Sequence, residues 1–174
     1  MSGVFAIVIS VGTVTPLRTL PAQDADRAIT AAIGFGAFDM RGTSTAPVFR
    51  IGVERELLKQ RAVVEVSVGY AGISEQFAKT KTHLAFYEAQ IQAQAALSRF
   101  RPYVGVGAGG ASIFSNAEGR QRVTGAVSAA VGIRTLLSAT RRLKTELRLR
   151  RWDFTSGSNA WDEGAAEVTL GLIF

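Results

Sequence analysis

Arg142–Trp152 reads RLKTELRLRRW. Leu143, Thr145, Leu147 and Leu149 alternate with Lys144, Glu146, Arg148 and Arg150. Successive side chains on a β-strand point to opposite faces, so this spacing puts the charges on one side and the leucines on the other. A helix would spread the same charges around its girth. The alternation recurs outward from this stretch. Val64, Val66, Val68 and Tyr70 oppose Glu65, Ser67 and Gly69. Phe49, Ile51 and Val53 oppose Arg50, Gly52 and Glu54. Val168, Leu170, Leu172 and Phe174 oppose Glu167, Thr169, Gly171 and Ile173. Tyr87, Ala89, Ile91, Ala93 and Ala95 oppose Glu88, Gln90, Gln92 and Gln94. Ala and Gln also suit a helix, but the strict polar alternation decides for a strand.

Segments of this kind lie at 28–38, 47–56, 61–72, 83–95, 102–113, 123–134, 142–153 and 164–174. Each is near the roughly ten residues that a tilted membrane-crossing strand needs. The connections at 57–60, 96–101 and 135–141 are mostly shorter, and those at 39–46, 73–82, 114–122 and 154–163 are longer and polar. The pattern predicts an all-β fold: a closed antiparallel up-and-down transmembrane β-barrel of about eight strands.

Composition agrees. The 174 residues hold one domain. Charged residues at 20%, hydrophobic residues at 47% and a mean hydropathy of +0.17 exclude a disordered chain. No stretch reaches the roughly 18 apolar residues without a charge that a membrane helix needs. The absence of Cys excludes a disulfide scaffold, a thiolate metal site and a thiol nucleophile. His83 is the single histidine, which excludes a multi-histidine metal site. Neither a metal nor a cofactor is expected. At the N-terminus, Val4–Val11 (VFAIVISV) is a short apolar run, followed by small and polar residues up to Gln23. It reads as a secretory signal over 1–22, with 23–174 as the barrel domain.

A soluble barrel hides its apolar face, whereas a membrane barrel shows it to lipid. The polar rows here carry small residues with the charges, among them Gly34, Gly36, Gly52, Ser67, Gly69, Gly105, Gly107, Ser128, Gly132 and Gly171. A narrow eight-stranded lumen must be filled in this way. Aromatic residues gather near strand ends. Phe38, Tyr70, Phe86, Phe114, Trp152, Phe154 and Trp161 lie toward the long loops, and Phe100, Tyr103 and Phe174 toward the short turns. They are expected to form interfacial girdles. A lipocalin-like soluble barrel with aromatics at its mouth is the competing arrangement.

The chain resembles the small outer-membrane β-barrels of Gram-negative bacteria, the OmpA and OmpX kind, over roughly residues 27–174. Arg101-Pro102-Tyr103-Val104-Gly105-Val106-Gly107-Ala108-Gly109, Val131-Gly132-Ile133-Arg134 and the last strand Ala166–Phe174 carry the likeness. The resemblance implies a monomer in the bacterial outer membrane. It also implies that Val168, Leu170, Leu172 and Phe174 form the signal read by the barrel-assembly machinery. Gly105, Gly107 and Gly110 fit G-x-G-x-x-G, but no helix or distal acidic residue follows, so this is not a nucleotide loop.

The inward row is expected to hold Glu54, Glu65, Glu88, Glu146 and Glu167 with Arg50, Arg134, Lys144, Arg148 and Arg150. Interleaved opposite charges in a narrow lumen should pair, because an isolated buried ion is costly. This predicts a salt-bridged plug; an ion path and carboxylate catalysis are the alternatives. If the last hairpin is symmetric about 154–163, Arg150 faces Glu167. The barrels that the chain resembles include lipid A deacylases, which use a His and a Ser two apart on one strand. His83 is followed by Leu84 and Ala85, so that motif is absent and no catalytic residue is assigned. The pI near 10.3 reflects in part Arg41, Lys79, Lys81, Arg120 and Arg122 in the long loops. These would meet lipopolysaccharide phosphates, or simply be solvated; no nucleic-acid partner is expected. The function expected is structural or surface-interacting and non-enzymatic. A narrow channel or hydrophobic-ligand transporter is the alternative, and a lipid-modifying enzyme a more distant one.

Overall fold

A computed structural model describes residues 27–39, 43–74, 81–95, 99–115, 121–138, 140–153 and 164–174. The strands are β1 (Arg27–Asp39), β2 (Thr43–Leu57), β3 (Ala62–Ser74), β4 (Lys81–Gln94), β5 (Phe100–Ser115), β6 (Gln121–Leu136), β7 (Arg142–Asp153) and β8 (Gly164–Ile173). Each pairs antiparallel with its sequence neighbours, and β1 also pairs with β8, closing the barrel. Every strand is therefore bonded along both sides. In lipid, where no water can satisfy a free backbone edge, closure is a requirement. No helix occurs among the described residues. The expected signal over 1–22, and Phe154 and Trp161, lie outside the described residues.

The alternation read from the sequence sets the two faces. Ile33, Phe35, Ile51, Val68, Val106, Leu149 and Val168 are among many large apolar residues that point outward and stay exposed, Phe35 at 71%. Glu65, Arg134, Arg148 and Glu167 point inward and are at most 1% exposed. In water this outer face would far exceed the few hundred Å² of contiguous apolar surface that monomers tolerate. A hydrocarbon environment removes that penalty, so the fold is a transmembrane barrel and the lipocalin-like facing does not occur.

The structure corrects the sequence reading in several particulars. β1 ends at Asp39 and β2 starts at Thr43, so residue 39 and residues 43–46 of the first expected long loop (39–46) belong to strands. The strands continue because Thr43–Ala46 ladder against Gly36–Asp39. The last hairpin is offset by two residues: Glu167 faces Arg148, and Arg150 faces Ala165. Trp152 and Asp153 prolong β7 along β6 alone, opposite Ala126 and Gly125, beyond the end of β8. An even offset preserves which face each side chain takes. The aromatic girdles also need revision. Tyr70, Phe100, Phe114 and Phe174 do face outward, but Phe38, Phe86, Tyr103 and Trp152 are buried inside. They sit on the inward rows of their strands, and row parity, not nearness to an end, fixes direction.

The turn from β2 to β3 carries Leu58, Lys59 and Gln60, all with positive φ (49°, 54° and 69°) and no glycine. This left-handed conformation is unfavourable for L-residues. It places an exposed leucine and an exposed lysine at the tip of the short-turn end.

Candidate functional site: the barrel interior

Three inward layers follow one another from the short-turn end. At the rim, Glu56 pairs with Arg101 at 3.4 Å and, more closely, with Arg142. β2, β5 and β7 bring them together because each ends its inward row there.

The second layer holds the ten predicted inward charges, all of them buried. Arg134 donates to both Glu54 oxygens, at 3.3 and 3.0 Å, and to Gln94 at 3.1 Å. Lys144 bridges Glu54 at 2.8 Å and Glu65 at 2.7 Å. Arg148 reaches Glu146 at 2.7 Å and also pairs with Glu88. Arg50 crosses from β2 to Glu146 at 2.9 Å and to Glu167. Arg150 contacts Glu88 at 3.0 Å and Glu167. Arg148 also lies 3.5 Å from Glu65, and Lys144 3.5 Å from Glu146, so each carboxylate touches at least two cations and Glu146 touches three. Charges removed from water survive only when paired in this way and supplied with further hydrogen bonds.

Neutral groups complete the network. Gln92 donates to Glu65 at 2.8 Å, Tyr103 to Glu146 at 2.7 Å and Ser128 to Glu88 at 2.9 Å. The Arg134 guanidinium lies 4.2 Å from the Tyr103 ring centre, and Arg150 lies 4.4 Å from that of Phe86. Gly132 leaves space for the Tyr103 ring: a Cβ there would come within 2.5 Å of it. Among the described residues, a gap of about 10 Å³ remains beside Thr30, Arg50, Lys144 and Thr169. That is the space of about one water molecule.

The third layer, toward the long-loop end, is mainly apolar, with Thr82 and Thr124 buried at its edge. Phe38, Val48, Ile73, Leu84, Phe86, Ile113 and Trp152 form one buried cluster over the ions. Sequence reasoning missed this lid, read Gln90, Gln92 and Gln94 without a role, and put Tyr103 in the interfacial girdle and not among the ions. The signal was available: Leu84 and Phe86 share the row of Glu88, and Trp152 shares that of Arg150.

His83 is half-buried on the outward side of β4, its Nδ1 2.5 Å from the Tyr70 hydroxyl. No group of acidic or histidine side chains suited to a metal ion occurs among the described residues. Val168, Leu170, Leu172 and Phe174 form the outward row of the final strand. Lys81 and Arg122 stand in β4 and β6 near their long-loop ends, while Arg41, Lys79 and Arg120 lie outside the described residues.

No protein-family model and no curated protein matches the chain by sequence. Solved structures do match in fold. Neisserial surface protein A superposes with a TM-score of 0.71 at 12% identity, over 84% of this chain and 95% of that one. Ail, the attachment invasion locus protein of Yersinia pestis, gives 0.55 at 12% identity, over 85% and 97%. The outer membrane enzyme PagL gives 0.54 at 13% identity, over 84% and 98%. The chain thus has the fold of the eight-stranded outer-membrane barrels, a fold carried by a surface protein and an attachment invasion locus protein as well as by an enzyme.

Proposed function

We propose that the protein is a non-enzymatic barrel of the bacterial outer membrane with a structural or surface-interaction role. Its lumen is closed, and its long-loop end meets lipopolysaccharide phosphates or an external ligand through Arg41, Lys79, Lys81, Arg120 and Arg122. The carrying observation is the filled interior, with a paired ionic layer beneath an apolar lid. Permeation needs a continuous polar path, and the lid interrupts one. Residues 1–22 serve as the export signal, and the outward row ending at Phe174 is read by the assembly machinery. The protein acts as a monomer, since closure leaves no strand edge for a second copy to extend.

Planar-bilayer recording tests the closed lumen. The folded protein should show little steady conductance, whereas large stable currents would put the channel reading in its place. Fractionation with outer membranes, together with a gel shift on boiling, tests the location and the stable barrel.

A further inference from the structure

Among the described residues, the short-turn end is strongly cationic and its charge is largely unneutralised. Apart from the trio around Glu56, its charged side chains among the described residues are Arg27, Arg55, Lys59, Arg61, Arg99 and Arg141, all exposed. None of the six makes an ion pair with a described residue; Arg99 donates only to the Leu136 carbonyl, at 3.1 Å. They are distributed around the rim: two where β1 meets β2, two near the β2–β3 turn, and one at each of the other turns.

Two observations point to an anion seated here. Arg27 lies directly opposite Arg55 across the β1–β2 ladder. Like charges in facing positions repel and destabilise a strand pair unless something negative lies between them. The same rim also carries exposed apolar side chains, Leu58 at 76%, Phe100 at 52% and Leu137 at 50%. A soluble acidic polymer offers nothing to these residues, whereas a lipid leaflet accepts them below its phosphates. Long arginine and lysine side chains reach up to that phosphate level from an apolar belt.

We propose that this rim is a collar for anionic phospholipid headgroups, with Arg27 and Arg55 clamping one lipid phosphate between β1 and β2. The proposal rests on the membrane-barrel reading above. It gives the short-turn end a selectivity of its own, separate from any contact made by the long loops.

Electron spin resonance tests it, using the full chain folded in phosphatidylcholine bilayers that carry spin-labelled phosphatidylglycerol or phosphatidylcholine. The parent protein should immobilise the phosphatidylglycerol label preferentially, and salt should weaken the preference. Each of Arg27→Gln and Arg55→Gln should reduce the relative association roughly fivefold, the effect of one basic side chain near an anionic surface. Arg151→Gln, an exposed outward arginine at the opposite end, should leave it unchanged and serves as the control. Equal association of the two labels with the parent, or a preference retained in the double variant, would overturn the collar. So would a soluble polyphosphate that binds through these arginines while the labels show no preference. A chain that folds into neither bilayer, with no gel shift on boiling, overturns the membrane reading and the collar together; a folded, shifting barrel without lipid preference overturns the collar alone.

Discussion

Glu167 accepts from Arg50 on β2 and Arg150 on β7, so deleting its side chain leaves two buried guanidiniums short of a partner. Glu167→Ala should cost about 3–5 kcal/mol, the range for breaking a buried pair from one side. Arg150→Ala should also destabilise, and the double variant should lose clearly less than the sum of the two. Urea titrations of the barrel in lipid vesicles measure all three, and strict additivity would contradict the pairing. Two glycines give a second contrast. A Cβ at Gly109 would overlap the Tyr87 carbonyl oxygen, whereas one at Gly125 meets nothing within 4 Å. Gly109→Ala should therefore lose about 1–3 kcal/mol and Gly125→Ala stay within about 0.5 kcal/mol of the parent; the same titrations decide. At this scale the sequence told direction but not company. Period two says that Glu54 and Arg134 both point inward, yet they are 80 residues apart, and only the closed barrel brings them within 3.0 Å. Nothing in the row Gln90, Gln92, Gln94 announces that these amides would share the ions' hydrogen bonding.

Individual strands were more legible than their ends. The charge–leucine alternation of β7 fixed both faces, because a one-residue slip would turn every leucine into the lumen. Leu147 and Leu149 point outward, so Leu147→Arg should cost about 2–4 kcal/mol near the bilayer mid-plane. Refolding titrations read this directly; an unchanged midpoint would mean that the outer face does not meet hydrocarbon. Strand limits were harder to read, since β2 runs on through Thr43–Ala46 without alternation strong enough to mark it. The buried aromatics follow row parity and not nearness to a strand end. Phe86 lies toward the long-loop end of β4, yet its place two residues before Glu88 puts it on the inward row.

For the molecule as a whole, closure overrides local symmetry. A hairpin considered alone would centre on its loop, but β7 must also match β6, and β8 must also match β1. The register that satisfies all of these ladders places Glu167 opposite Arg148. No local pattern in 154–163 could have announced it. Arg150 still reaches Glu167 because a long guanidinium spans a diagonal that a backbone ladder cannot.

Phe174 and Ile29 exchange backbone hydrogen bonds at 3.1 and 3.0 Å. The last residue therefore lies beside the start of β1, and the order of strands around the wall has no geometrical beginning. A short linker from Phe174 to Arg27, with new ends opened within 154–163, would leave the same ring of neighbours. Such a permutant should refold in detergent to a heat-modifiable barrel with near-parental stability. In cells it would present β7, ending in Arg150-Arg151-Trp152-Asp153, where the phenylalanine-terminated strand used to be. If biogenesis reads that final row, the rearranged gene should yield little protein in the outer membrane even though its product folds in the test tube. Equal cellular yield would show that the row matters only as part of the wall.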